Sequence, residues 1–222
     1  MHGKTYLIQA LLSNLEVFMR DEDVERSMEI LYTYNSVPPE VDRTIHMHQG
    51  LPSVPQIVDF AKKNKSKGTI LVLDDMNETL AALPSKQQLA YSSFITDVSR
   101  KINCSIIWIS QTLYNSKLEL LRVYKTCSTA FILFHFPGDL RSVSRLAGQI
   151  CPTDTKNFMK AYQDAISYPR GYLYCQLRAP GNNENAGLQL RNYIAPPTST
   201  RLLHEDSPVF QTNRSFMYLI DC

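Results

Sequence analysis

No stretch of this 222-residue chain approaches the roughly 18 uninterrupted apolar residues that a membrane-spanning helix needs. No apolar segment of signal-peptide length follows Met1-His2-Gly3-Lys4 either, so the expectation is an intracellular protein with no membrane partner. The five cysteines (Cys104, Cys127, Cys151, Cys175 and Cys222) form no C-x-x-C pair, which argues against a zinc ribbon or a thioredoxin-like motif. Widely spaced cysteines fit reduced thiols in a cytosolic or nuclear setting. The net charge of +2 is too small to steer the whole molecule toward a polyanion, so any nucleic-acid contact would need a local basic surface.

What is present is organised around Thr69-Ile70-Leu71-Val72-Leu73-Asp74-Asp75. A short apolar run ending in two carboxylates reads as a strand buried on both faces, as in a parallel sheet. Its acidic end lies where open α/β sheets bind ligands. The two acids could hold a metal ion, or they could turn the chain and cap the next helix. The preceding Lys62–Gly68 loop carries four lysines and reads either as a solvated loop or as a contact for a DNA backbone.

Near the N-terminus, Gly3-Lys4-Thr5 matches the second half of the phosphate-binding pattern G-x-x-x-x-G-K-[ST]. Leu7, Ala10, Leu11, Leu15 and Phe18 recur at helical spacing behind it. Ser27–Tyr34 reads as a strand, and an extended piece follows around Thr44–Met47. His46 and His48 stand at i, i+2, with no third metal ligand nearby. Val54–Lys62 and Lys86–Lys101 read as helices, the latter with Leu89, Phe94 and Val98 inward. Cys104–Ser110 is a second buried strand, and Gln111 just past it either senses a phosphate or makes an ordinary end-of-strand bond.

Thr129–Phe136 is the most continuous apolar strand. A helix capped by Asp139 follows, with Leu140, Val143, Leu146, Ala147 and Ile150 inward and Arg141 and Arg145 on a more exposed side. Another helix, capped by Asp154 or Thr155, bears Phe158, Met159, Tyr162 and Ile166. Gly171–Leu177 and Leu188–Tyr193 read as strands joined by the turn-rich Ala179–Gly187. Beyond Pro196-Pro197 the chain reads as a polar tail, within which Phe216–Ile220 is apolar enough to dock. Alternating strands and helices imply one α/β domain over 1–195: a mainly parallel sheet with helices on both faces and an antiparallel C-terminal hairpin. Residues 196–222 form the tail.

With these elements placed, the chain resembles the packaging ATPases of polintons and virophages, in the FtsK–HerA superfamily of P-loop DNA translocases. The resemblance runs from Gly3 to about Pro197. It is carried by Gly3-Lys4-Thr5, Gly50-Leu51-Pro52, Leu73-Asp74-Asp75 and Ile109-Ser110-Gln111-Thr112-Leu113-Tyr114. It continues through Phe134-His135-Phe136-Pro137-Gly138-Asp139, Leu146-Ala147-Gly148-Gln149-Ile150-Cys151-Pro152, Ala161-Tyr162-Gln163-Asp164-Ala165 and Pro169-Arg170-Gly171-Tyr172-Leu173.

The resemblance implies a P-loop NTPase fold of the RecA/FtsK type, with ATP and Mg²⁺ as cofactors. It also implies movement of double-stranded DNA by a homo-oligomeric ring, with capsid proteins as further partners. Carried over by residue, Gly3, Lys4 and Thr5 bind the phosphates, and Thr5 and Asp74 hold the Mg²⁺. Asp75 activates water, Gln111 is the sensor, and Arg122 is the finger that reaches a neighbouring subunit's nucleotide. Two departures stand out. The first strand and the leading half of the glycine-rich loop do not precede Gly3, and Pro137-Gly138-Asp139 stands where the family often has Pro-Arg-Asp. The alternative expectation is therefore a catalytically inactive, truncated P-loop remnant that binds DNA or protein.

Overall fold

The computed structural model describes residues 2–13, 28–36, 38, 45–64, 67–114, 119–136, 138–177, 188–192, 194 and 217–220. Several expectations lie outside the described residues: Leu15 and Phe18 of the first helix, the Lys65-Ser66 part of the basic loop, Pro137, the Ala179–Gly187 turn and Cys222. The chain forms two compact units, Met19–Cys127 and, separately, Met1–Phe18 with Ser128–Cys222.

The Met19–Cys127 unit is built on four parallel strands in the order β2-β1-β3-β4. They are β1 (Glu29–Tyr34), β2 (His46–Gln49), β3 (Thr69–Asp74) and β4 (Cys104–Ile109). Leu71 pairs with Leu31 on one side and Ile106 on the other, so β3 is flanked on both edges. Side chains of register partners share a face. Leu31, Leu71 and Leu73 pack with Ile57, Ala61, Leu80, Phe94 and Leu121 from the helices. The opposite face carries Ile30, Tyr32, Ile70 and Val72, which are also buried. Burial on both sides explains why β3 is an unbroken apolar run instead of an alternating one.

The helices of this unit start at local signals. In α2 (Val54–Lys63) Ser53 and Gln56 form a capping box, the Ser53 N–H donating to Gln56 Oε1 at 2.8 Å. A short α3 (Asn77–Ala81) follows the Asp-Asp pair. Then α4 (Ser85–Ser93) runs through a π-helical turn (Phe94–Val98) into α5 (Ser99–Lys101). Phe94 is buried as expected, but Leu89 is 71% exposed, and Tyr91 takes the inward position. Two residues apart on a helix is about 200° of rotation, so Tyr91 and Leu89 cannot both face inward. The last helix here is α6 (Glu119–Cys127).

The basic loop closes onto the sheet. Lys67 Nζ lies 2.8 Å from Glu29 and His46 Nε2 lies 3.3 Å from the same carboxylate. Donation from Lys67 holds the Glu29 carboxyl below its ordinary value, against the opposing effect of burial. A carboxylate with a depressed folded pKa contributes stability that is full above its unfolded value and is lost as pH falls through the folded one. Glu29→Gln is therefore expected to cost about 0.5 kcal/mol near neutrality, the size typical of partly exposed pairs, and nothing once the pH is low enough to protonate the carboxyl in the folded state. Urea titrations of both proteins at the two pH values check this.

The other unit holds a four-stranded antiparallel sheet in the order β5-β6-β7-β8. Its strands are β5 (Ala130–Phe134), β6 (Tyr172–Gln176), β7 (Leu188–Arg191) and β8 (Met217–Ile220). This changes one expectation and agrees with another. The apolar Thr129–Phe136 run, expected in the parallel sheet, instead pairs antiparallel with β6, Leu133 opposite Leu173. The apolar end of the expected tail is a strand paired with β7, Leu190 opposite Tyr218. Fold class α/β stands, with a parallel and an antiparallel sheet in place of one mainly parallel sheet.

Helix α1 (His2–Ser13) puts Leu7 against Tyr172, with Ala10, Leu11, Ile132 and Phe134 around them. Helix α7 (Leu140–Ile150) is capped by Asp139, which accepts the Ser142 N–H, and α8 (Thr155–Ile166) by Asp154, which accepts that of Asn157. Val143, Leu146 and Ala147 are inward as expected, but Leu140, the first residue of its helix, is 47% exposed. Cys104, Cys127 and Cys175 are free thiols, and burial pushes that of Cys104 up to about 12. Cys151 is disulfide-bonded, which departs from the expectation of reduced thiols throughout.

Candidate functional site

Three parallel strands of the Met19–Cys127 unit end side by side, and the residues just past those ends make a polar cluster. β1 delivers Asn35, β3 delivers Asp74 and Asp75, and β4 delivers Ser110, Gln111 and Thr112. Peptide dipoles and unpaired backbone groups at the carboxyl ends of parallel strands make this the usual ligand side of such sheets.

Asp75 is the centre of the cluster. Its φ of 54° is left-handed, a conformation that Asp and Asn tolerate better than most side chains. Both neighbouring strands pin it there: its N–H donates to the Ile109 C=O at 3.1 Å, and Asn35 Nδ2 donates to its C=O at 3.0 Å. The carboxylate is exposed and accepts from Gln111 Nε2 at 2.7 Å. Two residues singled out from the sequence, 36 positions apart, are thus brought into direct contact.

Asp74 faces the other way along the pleat. Its Oδ2 accepts from the Tyr32 hydroxyl at 2.6 Å. Tyr32 pairs with Val72, so Asp74, two residues further on, shares its face. Burial, and then the bond to Asp74, push the Tyr32 phenol far above its ordinary value, so it stays a donor at any physiological pH. A hydroxyl-oriented, half-buried carboxylate at a strand end suits Mg²⁺, which is commonly held by one or two protein oxygens with the remainder from water and phosphate. Among the described residues no group of three or more His, Cys, Asp or Glu side chains is arranged around a metal position. His46 and His48 serve other ends: His46 meets Glu29 and packs edge-on against Phe60, and His48 bonds the Gly50 C=O.

Comparison with protein-family models, with curated proteins and with solved structures finds no match. The remaining expected residues are placed as follows. Arg122, on α6, is 77% exposed and forms an ion pair with Glu119 one turn away at 2.7 Å. Gly3, Lys4 and Thr5 belong to the other unit and form the first turn of α1. Lys4 Nζ stands 5.2 Å from the Phe136 ring centroid. No helix among the described residues is long and apolar enough to cross a membrane.

Sequence reasoning passed over Tyr32, Asn35 and Asn77. Asn35 had a usable signal, since it directly follows a strand expected beside the Asp-Asp strand. Asn77 is buried; its Nδ2 donates to Ser110 Oγ at 2.6 Å and its Oδ1 accepts from Trp108 Nε1 at 2.9 Å. Tyr32 had no such signal, because a tyrosine inside an apolar strand looks like any other core residue.

Proposed function

We propose that this chain is an ATP-dependent translocase of double-stranded DNA, the packaging motor of a viral or virus-like element, acting as a ring of subunits inside the host cell and with capsid proteins as partners. The observation that carries the reading is the Gln111–Asp75 contact at the carboxyl end of a parallel strand, with Asp74 beside it. It supports a division of labour in which Asp75 takes up the proton of an attacking water while Gln111 orients that water. Lys4 and the backbone of the first turn of α1 would bind phosphate, since a helix N-terminus offers unpaired N–H groups and a positive dipole end. Asp74 would hold Mg²⁺, which when bound supplies charge neutralisation at the phosphates. Arg122 suits a finger. Its exposed pair with Glu119 is worth only about 0.3–0.5 kcal/mol, so leaving it for a nucleotide costs little.

The test is stabilisation by Mg-ATP, followed by hydrolysis with and without duplex DNA. A ligand that selects the native state at 100 times its Kd raises apparent stability by about 2.7 kcal/mol, and Lys4→Ala should abolish that rise. A melting temperature unmoved by Mg-ATP at about millimolar concentration would sink the enzyme reading. A DNA- or protein-binding module without catalysis would then stand in its place.

A further inference from the structure

Beside the Asp75–Gln111 pair lies a chain of hydrogen bonds that the proposed reaction does not use. It begins at Tyr124 on α6. The Tyr124 hydroxyl accepts the Trp108 N–H at 2.9 Å and donates to the Ile106 C=O at 3.3 Å. The Asn103 and Ile109 carbonyls bond β3, so by alternation the backbone groups of Ile106 and Trp108 point away from it. One side-chain oxygen thus occupies the place of a neighbouring strand's peptide on the outer side of β4. Tyr162 does the same in the other unit, bridging the Phe134 C=O and the Phe136 N–H. Burial pushes the Tyr124 phenol up to about 12, so it keeps the proton it donates.

From β4 the chain runs into the site. The Trp108 ring lies 4.7 Å from the Tyr124 ring, and its indole N–H donates to Asn77 Oδ1 at 2.9 Å. An indole can only donate, which fixes the orientation of the Asn77 amide and aims its Nδ2 at Ser110 Oγ, 2.6 Å away. Ser110 Oγ in turn donates to the Thr112 C=O at 2.6 Å and accepts the Thr112 N–H at 3.1 Å. Gln111 is the residue between those two anchors.

We propose that Tyr124, Trp108 and Asn77 are positioning residues that hold Gln111 against Asp75 and couple that pair to α6, the helix carrying Arg122. The inference rests on the nucleotide reading for what the pair does, but not for the linkage. Each of the hydrogens in the chain has an acceptor, and each link joins a different element: α6 to β4, β4 to α3, and α3 to the Gln111 loop. A displacement of α6 is therefore passed to Gln111, and a ligand on Gln111 is felt at Trp108, the only tryptophan in the chain.

Hydrogen exchange on the full chain without nucleotide tests the linkage. Tyr124→Phe and Asn77→Ala should each speed exchange across residues 108–112 by about tenfold, the effect of losing one well-formed bond, while the Glu29–Tyr34 and Thr69–Asp74 ladders keep their protection. Trp108→Phe, which keeps an aromatic ring and loses the indole donor, should do the same at 110–112. Unchanged exchange at 110–112 in all three variants overturns the proposal.

A second arm uses Mg-ATP and tryptophan emission. Wild-type emission should shift with the same midpoint as the thermal stabilisation, and Asn77→Ala should keep the stabilisation but lose most of the shift. A flat wild-type emission despite stabilisation, or a full shift in Asn77→Ala, overturns the coupling. If exchange responds as expected but Mg-ATP neither stabilises the protein nor moves its emission, the positioning chain stands and the nucleotide reading falls.

Discussion

Gly171→Ala should destabilise the protein by about 3 kcal/mol or more, at the upper end of what overpacking a close contact costs. An added Cβ would lie 2.1 Å from the Ala165 C=O oxygen and 2.9 Å from that of Tyr168. Both are backbone atoms, so no side-chain rotation relieves the clash. The crowding has a local cause. Helix α8 ends at Ile166, Arg170 turns the chain with a left-handed φ of 58°, and β6 starts at Tyr172. The chain must therefore pass directly over the last carbonyls of the helix, and the Gly171 N–H donates to Tyr168 at 2.9 Å as it does so. For a chain of this length the loss corresponds to a fall in melting temperature of roughly 10 °C. Gly138→Ala is the matched control. No atom lies within 4 Å of a Cβ there, and the change is expected within about 0.5 kcal/mol of neutral. A loss below about 1 kcal/mol for Gly171→Ala in urea titration would show that the helix end can shift aside.

Asp75→Asn should lower the proposed ATP hydrolysis by about 10²–10⁴-fold, the usual contribution of a positioned general base. The substitution is clean because of the backbone. Asn tolerates the left-handed conformation nearly as well as Asp, and its amide oxygen can still accept from Gln111. Folding stability should therefore move by no more than about 0.5 kcal/mol, so any loss of turnover belongs to the chemistry. Asp75→Ala would confound the two, since a Cβ without a polar group pays about 1 kcal/mol or more for the same φ. Normal turnover by Asp75→Asn would remove Asp75 from the proposed mechanism. Retained turnover with faster exchange at residues 108–112 would make the Gln111–Asp75 contact a structural one.

Much of the secondary structure was legible because it depends on near neighbours. The unbroken apolar run of β3, the caps Asp139 and Asp154, and the Val143-Leu146-Ala147 stripe each express a period or a contact within a few residues. Misreadings occurred where several apolar residues competed for one face. Around Tyr91, hydropathy favoured Leu89, yet the tyrosine ring goes inward because its hydroxyl finds a buried acceptor in the Pro52 C=O. A phenol with a partner buries as well as a leucine does, and no local pattern announces a partner 39 residues away.

The candidate site divides along the same line. Its acids, Asp74 and Asp75, and the amide of Gln111 could be picked out beforehand, since each directly follows an apolar strand and the strand end is itself a local signal. Their relations could not. That Asp75 meets Gln111 while Asp74 meets Tyr32 follows from the β1-β3-β4 order and a one-residue alternation across the pleat. Strand order is a long-range choice, and the hydrophobic pattern of a buried strand is the same wherever in a sheet it lies. For that reason the Ala130–Phe134 run could be recognised as a strand, but not assigned to the antiparallel sheet that holds it. Its composition marks it as an apolar strand; which neighbour supplies its hydrogen bonds depends on residues 38 to 46 positions downstream.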